Sequence, residues 1–83
     1  SLVERQFLNI LEGGCSAPIG AYARINGDEI YLKGLLLNIG GSLRIEKEKG
    51  TQMENWQHLG KELAMEILEE GGKEIIEELK RNG

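Results

Sequence analysis

The sequence predicts an α+β fold: a three-stranded antiparallel sheet with helices packed on one face, in the order α-β-β-β-α-α. Three observations carry that prediction. Apolar residues recur at helical spacing near the start, alternate with polar ones through the middle, and return to helical spacing over the second half. An Asn26-Gly27 pair separates two of the alternating stretches and is the strongest short-range hairpin signal a sequence can carry. Elements of this kind bury one face of a sheet beneath helices.

Val3, Phe7, Ile10 and Leu11 fall on one helical face, with Glu4, Arg5, Gln6 and Asn9 elsewhere, so a first helix runs from about Val3 to Leu11. Ser1 with Glu4 forms a candidate capping box, and Gly13 stands where a left-handed C-terminal cap is expected. Beyond Pro18, Ile19, Ala21, Ala23 and Ile25 alternate with Gly20, Tyr22 and Arg24, the period-two pattern of a strand with one buried face. After the Asn26-Gly27 turn a return strand runs from about Glu29 to Leu37. The apolar run Leu35-Leu36-Leu37 blurs its alternation and predicts burial on both faces at that end. Residues 38–42 make a second turn, and Leu43 and Ile45 alternate with Arg44 and Glu46 in a third strand ending near Lys49.

Thr51 and Glu54 form a second candidate capping box. Met53, Trp56, Gly60, Leu63, Ala64, Ile67 and Leu68 then trace a long helical stripe, which places Met53 and Trp56 in the core. A glycine inside a helix costs about 1 kcal/mol relative to alanine, so Gly60 predicts a close approach of this helix to the sheet or to Phe7. Gly71-Gly72 ends it, and Ile75, Ile76 and Leu79 mark a short final helix over residues 73–81.

Eighty-three residues make one small domain, 1–83, near the size at which unaided stability becomes marginal. The start at Ser1 without Met points to a processed or excised piece. No apolar run approaches the roughly 18 residues of a membrane span, so no membrane partner is expected. Fourteen acidic against ten basic residues give a formal net charge of −4, which repels nucleic-acid phosphates at long range. One cysteine and one histidine cannot assemble the usual zinc site, nor can one cysteine close an internal disulfide. A cytoplasmic setting is the default expectation.

Two residues could carry chemistry by type. Cys15 follows Gly13-Gly14 and precedes Pro18; the glycines open backbone angles closed to other residues, and the proline fixes its own φ and extends Ala17. The corner therefore directs a thiol. Free cysteines commonly do no more than pack, however, and a helix C-terminus just before the thiol disfavours thiolate. His58 is in phase with neither the apolar stripe nor a second titratable residue, and reads as solvated helix surface. Glu66, Glu69, Glu70, Glu74, Glu77 and Glu78 have the look of a charged docking strip, but charge runs on helices are usually solvated faces, and they read as such.

The stretch Glu4-Arg5-Gln6-Phe7-Leu8, followed by Leu11-Glu12-Gly13-Gly14-Cys15-Ser16-Ala17-Pro18-Ile19-Gly20-Ala21-Tyr22-Ala23, closely resembles the start of the C-terminal domain of the porphobilinogen deaminases, or hydroxymethylbilane synthases. The resemblance continues through Leu32-Lys33-Gly34-Leu35 and through Leu59-Gly60-Lys61-Glu62-Leu63-Ala64. It implies that Cys15 carries a dipyrromethane cofactor through a thioether bond, on which the family builds hydroxymethylbilane from four porphobilinogens in tetrapyrrole biosynthesis. Porphobilinogen losing ammonia presents a methylene-pyrrole electrophile, and a soft sulfur nucleophile is suited to capture it as a stable C–S bond. Cys15 is then an anchor rather than a turnover nucleophile. The family's catalytic aspartate and arginine cluster belong to two preceding domains that nothing in this chain resembles. The resemblance thus implies no catalytic residue in these 83 residues, no activity of the chain alone, and partnership with those two domains.

Two other readings fit the same element order. A double-stranded-RNA-binding module shares α-β-β-β-α, but needs cations at the start of its last major helix; here that start is Thr51-Gln52-Met53-Glu54-Asn55. A thiol-bearing interaction or redox-sensing domain predicts reversible oxidation of Cys15 without a pyrrole adduct.

Overall fold

The computed structural model describes residues 2–12, 18–38 and 40–82, and its elements follow the predicted order. Helix α1 spans Leu2–Glu12 and buries Val3, Phe7 and Leu11, a spacing of four that keeps all three on one face. Strand β1 (Ile19–Asn26) pairs antiparallel with β2 (Glu29–Leu37), which pairs antiparallel with β3 (Arg44–Gln52). The sheet order is β1-β2-β3. Asn26 opposes Glu29, so the hairpin loop is Gly27-Asp28. Only its first residue has positive φ (65°), as in a type II′ turn.

Alternation decides what each strand offers the helices. Ile30, Leu32, Gly34 and Leu36 of β2 are buried, facing the helices. Leu35 and Leu37 point the other way and are half-buried, so the predicted two-sided burial at that end is partial. Tyr22, on the uncovered face, is 64% exposed. There the Arg24 guanidinium lies 4.5 Å from the centre of the Tyr31 ring, and the Tyr31 hydroxyl donates to Glu29.

The second capping box is overturned. Thr51 and Gln52 remain paired to β2, opposite Ile30 and Glu29, and the Met53 N–H donates to the Asp28 carbonyl at 2.8 Å. The hairpin thus satisfies the backbone donor at this junction, and no side chain caps the turn. A 3₁₀ segment, Met53–His58, follows and is interrupted at Asn55 (φ −109°, ψ 17°). Helix α2 begins only at Leu59 and runs to Ile67. Met53 is consequently 37% exposed rather than core, while Trp56 packs half-buried against the core. A π-helical turn, Leu68–Gly72, redirects the chain through Gly71 (φ 116°) into helix α3, Lys73–Asn82. Ile75, Ile76 and Leu79 of α3 join the same core.

The start of α2 is capped from another helix. Gln6 of α1 donates from Nε2 to the Gln57 carbonyl at 2.8 Å, and its Oε1 accepts from the Lys61 N–H at 3.2 Å. The two helices meet at Gly60, as its place in the stripe predicted. A Cβ there would lie 2.7 Å from the Val3 carbonyl oxygen, 2.7 Å from Gln6 Oε1 and 3.0 Å from the Phe7 nitrogen. Two of these neighbours are backbone and cannot swing aside. Gly60→Ala is therefore expected to destabilise the fold by about 1–3 kcal/mol despite alanine's higher helix propensity, read as a lower urea midpoint; an unchanged or higher midpoint would refute the close approach.

Candidate functional site

Cys15, with Gly13, Gly14, Ser16 and Ala17, lies outside the described residues, as do Ser1 and Ile39. The predicted Ser1 cap, the Gly13 helix stop and the thiol corner fall there. Both flanks of the corner are described and both are fixed. On one side α1 ends at Glu12, one residue after the fully buried Leu11. On the other, the Pro18 carbonyl accepts the Leu37 N–H at 3.0 Å, extending the β1–β2 ladder one step toward the corner. A third tie joins the two arms, since Glu4 Oε2 on α1 accepts the Ala23 N–H of β1 at 2.7 Å. The segment 13–17 therefore leaves and re-enters the scaffold at two points held relative to each other.

The neighbouring turn is built by one side chain. Asn38 Oδ1 accepts the Leu43 N–H at 3.1 Å, and its Nδ2 donates to Ser42 Oγ at 3.0 Å. The Asn38 N–H donates to the Leu43 carbonyl at 3.2 Å, and the Gly41 N–H to the Asn38 carbonyl at 3.1 Å. Arg44 opposes Leu37 across the ladder, so this turn and the start of β3 lie at the same end of the sheet as Pro18 and the start of β1.

The glutamates of α2 are not simply solvated. Ile45, Lys47, Lys49 and Thr51 share the helix-facing side of β3, which points both lysines toward α2. Lys49 Nζ lies 2.7 Å from Glu66 Oε2 and 3.9 Å from Glu62; Lys47 Nζ lies 3.4 Å from Glu66 Oε1 and also pairs with Glu70. The Lys49 hydrogen bond holds the Glu66 carboxyl below its ordinary value, and the reciprocal bond holds Lys49 above its own. The lysines could have been found in the sequence from their phase with Ile45; Gln6 and Glu4 act across elements and leave no local signal.

Because the folded Glu66 value is depressed, its contribution is present above the unfolded value, about 4.3, and is lost as pH falls through the folded one. The melting temperature is expected to fall as the solution is acidified below that value, with a shallower fall in Glu66→Gln. An identical acid limb in the variant would show that the pairing carries no linkage. The effect is small, because the pairs are partly exposed.

His58 is exposed and lines a small hollow with Thr51, Asn55, Leu59 and Glu62, in keeping with a surface role. Among the described residues no group of three or more His, Cys, Asp or Glu could hold a metal ion. No described helix is long and apolar enough to cross a membrane.

A helix and an edge strand that flank a glycine-preceded cysteine in the sequence, on a three-stranded sheet backed by helices, define a small α+β domain. The sequence model for the porphobilinogen deaminase C-terminal domain matches residues 1–69, and the chain belongs to that family. It is 42% identical over 95% of its length to the porphobilinogen deaminase of Carboxydothermus hydrogenoformans, 40% over 89% to that of Campylobacter concisus and 37% over 94% to that of a Synechococcus species. It spans 24–25% of the length of these relatives.

Proposed function

We propose that residues 1–83 form the cofactor-carrying C-terminal domain of a porphobilinogen deaminase, a transferase of tetrapyrrole biosynthesis also called hydroxymethylbilane synthase. The observation that carries this reading is the family match over residues 1–69, a span that includes Cys15. Cys15 Sγ holds a dipyrromethane in thioether linkage, and the cofactor supplies the chain end on which the tetrapyrrole is extended.

The chain's own residues suit that task. A thiol is the right donor for a stable bond to a methylene carbon. The flanks tied through Leu11, Pro18 and the Glu4–Ala23 hydrogen bond restrict where an attached group leaves the scaffold, which is the positioning a tether needs. The acids and bases that act on porphobilinogen come from two preceding domains of the same cytoplasmic polypeptide. Neither nucleic acid nor a membrane is a partner, in keeping with the net charge of −4.

The test compares the full-length polypeptide with the 83-residue chain, both supplied with porphobilinogen. Hydroxymethylbilane is expected from the first and none from the second. Bilane formation by the 83 residues alone would overturn the division of labour, and a full-length protein without activity would overturn the assignment.

A further inference from the structure

The same end of the sheet carries a groove of about 470 Å³ between the start of β3 and the π turn and helix that follow α2. Its floor is apolar, with Ile45, Gly71 and the buried Ile75, and Leu43, at 53% exposure, stands at its mouth. Glu69, Glu74 and Glu78 rim it; all three are exposed and make no ion pair among the described residues. The one cation among the described lining residues, Arg44, is engaged by Glu46 at 2.8 Å.

Three uncompensated carboxylates within a few ångströms of an apolar trough match a segment that offers Lys or Arg around an apolar side chain. The position narrows the source. Arg44 opposes Leu37 and Leu37 binds the Pro18 carbonyl, so the groove lies at the end of the sheet where β1 begins, four residues after Cys15 in the sequence. On the reading that Cys15 tethers a cofactor used by preceding domains, those domains must approach this end.

We infer that the Leu43–Ile45–Ile75 groove seats a basic, apolar-tipped segment from the amino-terminal portion of the same polypeptide, locking the tether-bearing end against the domains that use it. The inference rests on the proposed anchor role of Cys15.

Carbodiimide-driven labelling with glycine ethyl ester reads the rim directly. If docking holds the open form to about 10% or less, Glu74 and Glu78 label about tenfold more slowly in the full-length polypeptide than in the 83-residue chain. Glu77, on α3 but outside the groove lining, labels alike in both. In full-length Glu74→Lys/Glu78→Lys, Glu69 returns to the fast rate, whereas Glu77→Lys leaves it slow. Equal rates in the two wild-type forms would overturn the inference without any variant. So would protection that appears in the 83-residue chain as its concentration rises, which would assign the groove to a second copy. Intact mass, recorded on the same full-length samples, reports the anchor separately. A dipyrromethane-sized increment with an open groove refutes the docking alone; a protected groove without the increment refutes the anchor.

Discussion

Cys15→Ser in the full-length polypeptide is expected to abolish both the dipyrromethane-sized mass increment and bilane formation, while the substituted 83-residue chain melts with the wild type. Sulfur and oxygen differ in how readily each becomes a nucleophile. A thiol is polarizable and ionises near pH 8.5, whereas a serine hydroxyl stays protonated in water and needs an adjacent base to become a nucleophile. The described flanks offer the corner no histidine: His58, the single one in the chain, lies at the entrance to α2 beside Thr51 and Glu62. Mass spectrometry of wild type and variant, made in the same cells, decides the matter. An unmodified wild type would remove the anchor, and a variant that keeps the increment would move it to another residue. Reversible oxidation of Cys15 without an adduct would favour a thiol-bearing interaction domain instead.

Phe7→Ala is expected to be the most damaging single change to the scaffold, at about 3–5 kcal/mol. Its side chain is fully buried, and its ring sits on the backbone of Gly34, where a Cβ would fall 2.7 Å from Cε1 and inside contact with Cζ. Glycine at the centre of the middle strand is thus the socket for the first helix. A domain of this size commands only about 5–15 kcal/mol in all, so Phe7→Ala should leave a large unfolded fraction in the isolated chain. Gly34→Ala approaches the same contact from the other side and should cost about 1–3 kcal/mol. Because both act on one contact, Gly34→Ala combined with Phe7→Leu should cost less than the sum of the two single changes. Urea melts of the four proteins test this. Strict additivity would show that Phe7 and Gly34 do not share a socket.

What the sequence made legible was whatever local periodicity encodes. The β1–β2 hairpin, the span of β2 and the close approach at Gly60 were all readable, because alternation, a turn dipeptide and a misplaced glycine each have one dominant cause. The long helix was misread at its start because Thr51 and Glu54 satisfy a local capping pattern, while pairing with β2 holds Thr51 opposite Ile30 and the Asp28 carbonyl accepts the Met53 N–H. Met53 fell out of the core for that reason. Lys47 and Lys49 look like surface residues until their phase with Ile45 turns them toward the acids of α2. The candidate site divides the same way. Cys15 was singled out by its glycines and proline, whereas the groove joins residues some thirty positions apart, and no local pattern predicts it.

The carboxylate of Glu4 on the Ala23 N–H has a consequence for association between molecules. A three-stranded sheet has two open edges, and each is a template for pairing with a strand from another chain. At β1 a helix side chain already occupies a backbone donor that an incoming strand would need. At β3, two inward-pointing lysines, held by Glu66 and Glu70, make extension of the sheet electrostatically awkward. Each edge is guarded by a different device, so the sheet does not offer itself for growth into larger aggregates.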